Sequence, residues 1–99
     1  MLNLNGRQYL DDCLASLEAQ TYHRDCFEIV LADNGSADGS LSFVRDRYPR
    51  TRVVEFGTNR GFCAPYNAVV QGSDAEFVAL LNNDTRVDAE WLAELVSAA

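Results

Sequence analysis

Near the end of this 99-residue chain, the apolar run Phe77-Val78-Ala79-Leu80-Leu81 stops at Asn82-Asn83-Asp84-Thr85. Carboxylate and amide oxygens are hard ligands of the kind Mg²⁺ or Mn²⁺ prefers, which makes Asp84 and Asn82 candidate metal ligands. Two other clusters carry similar chemistry. Asp33 opens a loop, Asn34-Gly35-Ser36-Ala37-Asp38-Gly39-Ser40, and Asn59-Arg60-Gly61 forms another. Asp33 can accept hydrogen bonds from a base or sugar, or it can cap the turn at Gly35. Arg60 can add a charge-assisted contact to phosphate. Each cluster has a plainer reading, because Asn, Asp and Gly are turn formers in any case. Together they describe a nucleoside diphosphate held through a metal, and they do not specify the reaction.

These side chains need elements that bring them to one place. Five apolar residues in a row suit a strand buried on both faces, at about 76–81. Phe27-Glu28-Ile29-Val30-Leu31-Ala32-Asp33 reads as a second such strand, and 51–56, partly alternating, as a third nearer an edge. Residues 1–5 form the tail of another strand, turned by Asn5-Gly6. Leu10, Cys13, Leu14 and Leu17 give the stripe of an amphipathic helix over 7–20. A second helix runs from about 39 to 48, started by Asp38 or Ser40 and ended by Pro49. A third covers 62–71, with Pro65 in its first turn, Gly72 as its C-cap and Cys63, Tyr66, Val69 and Val70 as its buried face. Asp88 caps a last helix bearing Trp91, Leu92, Leu95 and Val96, with Val87 and Leu92 as a hydrophobic staple. Strands alternating with helices predict right-handed βαβ units. The fold class is α/β: a Rossmann-like three-layer α/β/α sandwich with a mostly parallel sheet. In such sheets ligands bind outside the carboxyl ends of the strands, where all three clusters fall.

The bulk composition narrows the partners. A chain this short makes one small domain, 1–99, and its 47 % hydrophobic fraction is that of a globular protein. The net charge of −7 and the scattered eight basic residues argue against nucleic acid. An acidic chain that binds an anionic ligand needs a metal or a helix N-terminus to do so. Cys13, Cys26 and Cys63 are odd in number and have no Cys-x-x-Cys spacing, which fits a reducing, cytoplasmic setting. Cys13 and Cys63 read as core residues, and His23 as a solvated turn residue. No apolar run is long enough to span a membrane.

Several motifs in order carry a resemblance. Asn5-Gly6, Tyr9-Leu10, Cys13-Leu14-x-Ser16-Leu17-x-x-Gln20-Thr21-Tyr22, then the Asp33–Ser40 loop, Asn59-Arg60-Gly61-Phe62, Asn67 and Leu80-Leu81-Asn82-Asn83-Asp84-Thr85 resemble family 2 glycosyltransferases over nearly the full chain. The resemblance implies a GT-A fold and sugar transfer from a nucleotide donor, UDP- or dTDP-linked, to an acceptor hydroxyl. It implies that Asp33 contacts the base. The nucleotide set would be Asp33, Asn34, Gly35, Asn59, Arg60, Gly61, Asn67 and Asn83. Asp84 takes the last position of the family's Asp-x-Asp motif, which binds Mg²⁺ or Mn²⁺ through the diphosphate, and Asn82 stands where the first Asp often is. That amide keeps an oxygen but removes a charge. Asn-Asn-Asp-Thr is similar to the form in rhamnosyltransferases that use dTDP-rhamnose. The chain departs from the family at Cys63-Ala64-Pro65-Tyr66, where a Gly-rich run is usual, and at Ala68-Val69 after Asn67.

The same resemblance implies a domain truncated at both ends, with a first-strand stub at its start and the catalytic base and acceptor site expected beyond Ala99. The first strand would lie between those ending at Asp33 and Asn82, so an unpaired sheet edge and self-association are expected. The expected role is the donor-binding part of a metal-dependent glycosyltransferase of cell-wall or polysaccharide biosynthesis. That part would be inactive alone, and its parent cytoplasmic or on the inner face of the membrane. One alternative is a non-catalytic nucleotide-binding or oligomerisation module. Another is a Mg²⁺-dependent phosphatase or receiver domain with Asp33 as phosphoryl acceptor. It is disfavoured because Asp33 is followed by Asn34-Gly35 rather than by further carboxylates.

Overall fold

The computed structural model describes residues 1–99. Its elements are β1 (Leu2–Asn3), α1 (Arg7–Glu18), β2 (Val30–Asp33), α2 (Ser40–Arg47), β3 (Arg52–Glu55), α3 (Cys63–Gln71) and α4 (Trp91–Ala98), with a 3₁₀ turn at Arg24–Cys26. The three strands form a parallel sheet in the order β1-β2-β3. Asn82 joins the far side of β1 through a parallel bridge to Leu2. β1 therefore lies between β2 and Asn82, as the resemblance implies, and β3 is at an edge.

Alternation along β2 explains the layers. Successive side chains of a strand point to opposite faces, so Leu31 and Ala32, both buried, face different ways. Leu31 joins Leu10, Cys13, Leu14 and Leu17 of α1, Ile29 and Val44 of α2 in one cluster. Ala32 is outside that cluster, and α3, the other helix packed on β2, is left to cover its face. Helices on both faces make the expected α/β/α sandwich. Trp91 at the start of α4 packs against the α1 side of the core. The Tyr48 hydroxyl ties the end of α2 to α1 by donating to the Asp11 carboxylate. Burial and that carboxylate push its pKa up to about 12.

Several expectations need correction. The run at 76–81 is not a strand: residues 77–80 make no backbone–backbone hydrogen bond, and Phe77, Val78 and Leu80 are 55 %, 47 % and 58 % exposed. β1 offers only Leu2 and Asn3 as neighbours, so apolarity alone finds nothing to pair with. The strand expected at 27–33 begins only at Val30, the one expected at 51–56 covers Arg52–Glu55, and α1 ends at Glu18. Cys63 is exposed, not core, and Val70 is 40 % exposed, leaving Pro65 and Tyr66 as the buried residues of α3. Glu90, not Asp88, is the N-cap of α4, although the Asp88 carboxylate accepts from the Glu90 N–H at 3.1 Å and closes the turn before it. Gly72 does cap α3, but with an ordinary right-handed φ of −83°.

Candidate functional site

The end of β2 delivers Asp33 to the sheet edge, and there its carboxylate is fully engaged. Oδ2 accepts from the N–H groups of Gly35 (3.1 Å) and Ser36 (2.9 Å), and Oδ1 from the Ser36 hydroxyl (2.7 Å) and the Asn3 amide (2.9 Å). With 1 % of its surface exposed, Asp33 is the floor of the loop and not a free acceptor. The turn-capping reading describes its geometry. Direct contact with a base would displace one of these four donors.

Asn34 does for the neighbouring loop what Asp33 does for its own. Its amide donates to the Gly61 carbonyl (2.9 Å) and to Asn59 Oδ1 (3.3 Å), and its oxygen accepts from the Arg60 N–H (3.2 Å). Asn59 Oδ1 also takes the Gly61 N–H at 2.9 Å. The loops approach so closely that a Cβ on Gly35 would lie 2.9 Å from the Gly57 carbonyl oxygen.

Across the cleft, the turn at 82–85 is held from below. The Asn82 carbonyl accepts from the Thr85 hydroxyl (2.6 Å) and from the Cys13 thiol (3.8 Å). Burial pushes the Cys13 thiol pKa up, as befits a packing residue. Asn83 turns inward, and its amide donates to Asn3 Oδ1 at 2.8 Å. The side chains of Asn82 and Asp84 are left exposed.

Between these walls lies a cleft of roughly 490 Å³ lined by Leu2, Leu4, Asn34, Asn59, Gly61, Phe62, Tyr66, Asn82, Asn83 and Asp84. It brings together six of the ten expected site residues. Asp33 and Gly35 flank its lining residue Asn34 in the chain without lining it themselves. Arg60 and Asn67 are not among its lining residues, and the Arg60 guanidinium sits 5.5 Å from the centre of the Phe56 ring. A second concavity, on α4, gathers Glu90, Glu94 and Ser97 but none of the expected residues.

Asp84 is the one carboxylate in the cleft, and no three His, Cys, Asp or Glu side chains converge anywhere in the chain. A protein cage for a metal is therefore absent. One carboxylate and one or two amide oxygens suit a cation that takes its remaining ligands from a diphosphate and water, as Mg²⁺ commonly does. Sequence reasoning missed the apolar wall of Leu2, Leu4, Phe62 and Tyr66. It also missed Asn3, whose signal was an amide on a strand, three residues before a glycine.

Residues 1–99 match the family described as Glycosyl transferase family 2. Glycosyltransferase AglE of Haloferax volcanii is 27 % identical over 96 residues, covering 94 % of this chain and 32 % of its own. TarS of S. aureus, crystallised in complex with UDP-GlcNAc, superposes with a TM-score of 0.88 at 26 % identity over 97 % of this chain and 28 % of its own. The mannosyltransferase PcManGT of Pyrobaculum calidifontis, in complex with GDP-Man and Mn²⁺, gives 0.86 at 27 % identity, covering 96 % of this chain and 29 % of its own. The chain thus spans about a third or less of each of these relatives.

Proposed function

The chain belongs to glycosyl transferase family 2, and on that premise we propose that it forms the donor-binding part of an enzyme moving a sugar from a nucleoside-diphosphate sugar to an acceptor hydroxyl. The observation that carries this is the gathering of Asn82, Asn83 and Asp84 with Asn34, Asn59 and Gly61 around one cleft at the carboxyl end of a parallel sheet. Asp84 and Asn82 would hold Mg²⁺ or Mn²⁺, which neutralises charge on the departing nucleoside diphosphate when bound. Phe62 and Leu4, 60 % and 43 % exposed at the rim, offer apolar surface to the base. Asn34 and Asp33 act by shaping the loops, and the Asn59–Gly61 loop faces the diphosphate. TarS and PcManGT, with their nucleotide-sugar complexes, support a donor of this class.

The donor we favour is UDP- or dTDP-linked, the acceptor a cell-wall or polysaccharide precursor, and the compartment cytoplasmic. No helix of the chain is long and apolar enough to cross a membrane, and all three cysteines are free. Calorimetric titration of UDP and of dTDP, with Mn²⁺ and then with EDTA, tests the reading. Binding that needs Mn²⁺ and is lost in Asp84→Ala is the expected result, and a dTDP preference would favour the rhamnosyltransferase resemblance. Equal binding in EDTA would remove the metal role from Asp84. The exposed apolar run at 77–80 favours a second reading, a module that associates with another copy of itself.

A further inference from the structure

Asn3 is fully buried, and its side chain uses every hydrogen-bonding group it has. The two amide protons go to Asp33 Oδ1 (2.9 Å) and the Ser36 hydroxyl (3.0 Å). The amide oxygen accepts from the Gly6 N–H (3.2 Å) and from Asn83 Nδ2 (2.8 Å). One small side chain on β1 thus holds the loop after β2 on its donor side and the turn at 82–85 on its acceptor side. No other side-chain hydrogen bond joins those two segments directly. The packing enforces the arrangement: a Cβ on Gly6 would sit 2.6 Å from Asn3 Oδ1 and would collide with the Asn83 amide. The amide supplies two donors and a doubly accepting oxygen from one small side chain. Asp would set two carboxylates face to face, and Leu would leave Asp33, Asn83 and the Gly6 N–H short of partners in a buried site.

We propose that Asn3 is a positioning residue for the donor site, through which the 33–36 loop and the 82–84 turn fix each other's placement. The inference rests on the donor-site reading above. Asn83 stands between the two candidate metal ligands, so a displacement of its amide carries both of them. Loss of the link still leaves the turn its Thr85 and Cys13 contacts to the Asn82 carbonyl. What changes is the coupling between metal and nucleotide.

Two measurements test this, the first without ligand. Amide hydrogen exchange in the free chain reports Gly35 and Ser36, whose N–H groups Asp33 holds. Asn83→Ala is expected to speed their exchange several-fold in the wild-type background and to add nothing in an Asn3→Ala background. An equal effect in both backgrounds, or none in either, overturns the link. The second is the ratio of UDP affinity in Mn²⁺ to that in EDTA, which Asn3→Ala is expected to lower about tenfold, within the usual span of coupling between sites. A residue that only stabilises the fold would weaken both affinities alike, and an unchanged ratio overturns the positioning role. If the exchange link holds but the wild-type chain binds no UDP, the donor-site reading fails and the link stands as a feature of the fold alone. Should Asn3→Ala not fold, Asn3→Ser replaces it in both measurements.

Discussion

Gly35 adopts a φ of +93°, a region an L side chain enters only with strain, and a Cβ there would press on the Gly57 carbonyl. Gly35→Ala is therefore expected to destabilise the chain by about 1–3 kcal/mol, measured by urea denaturation, and to push the loops at 33–36 and 57–61 apart. Asn82 poses the opposite question, since its side chain is exposed and free to change. Asn82→Asp adds a second carboxylate beside Asp84, and Mn²⁺ affinity is expected to rise roughly tenfold, about 1.4 kcal/mol. Titration of Mn²⁺ monitored by its paramagnetic relaxation checks this, and a fall in affinity would place the cation elsewhere. At this scale the sequence was legible for residue types and not for their commitments. Asn34 and Asn83 are in the cleft as expected, but hydrogen bonds to Gly61 and Asn3 that no spacing rule reveals decide what they can do.

Among the elements, the starts of α1 and α2 share one residue. The Asp38 carboxylate accepts from the Arg7 N–H (2.9 Å) at the start of α1, and from the Ser40 N–H (3.0 Å) and hydroxyl at the start of α2. The N-caps of α1 and α2 are Gly6 and Gly39, the latter in place of the expected Asp38 or Ser40. Asp38→Ala nonetheless removes the side-chain hydrogen bonds at both helix starts and, at this exposed position, is expected to cost about 1 kcal/mol. Burial pushes the Asp38 carboxyl up, but the hydrogen bonds from Ser40 and Arg7 outweigh it and hold the pKa below the usual carboxylate value. A depressed carboxylate contributes stability that is present above the unfolded pKa and is lost as pH falls through the folded one. The stability gap between wild type and Asp38→Ala should thus be full at neutral pH and narrow on acidification below about pH 3.9, the unfolded value. A gap that stays constant down to acid pH would show that charge plays no part. α1 and β2 were readable because their apolar periodicity coincides with the face they bury. The run at 76–81 was misread because its apolarity suits a paired strand, and pairing depends on a neighbour that local sequence does not describe.

For the whole molecule, that unpaired run is the main liability. Phe77, Val78 and Leu80 stand exposed just before the bridge of Asn82 to Leu2, and residues 77–80 make no backbone–backbone hydrogen bond. Unpaired strand-like backbone with apolar side chains is a template for pairing with another chain. The net charge of −7 opposes association at long range, but salt screens it within about 8–10 Å at moderate ionic strength. Apolar contact should therefore win once salt is present. The chain is expected to sediment as a concentration-dependent dimer, more so as salt rises. Val78→Lys and Leu80→Lys together should return it to a monomer without lowering its melting temperature, because neither side chain belongs to the core. A wild-type chain that remains a monodisperse monomer from micromolar to millimolar concentration would show that the edge stays open. Weaker association at higher salt would instead point to the ion-paired arginines, such as Arg45 with Glu55 and Arg52 with Glu28, as the contact.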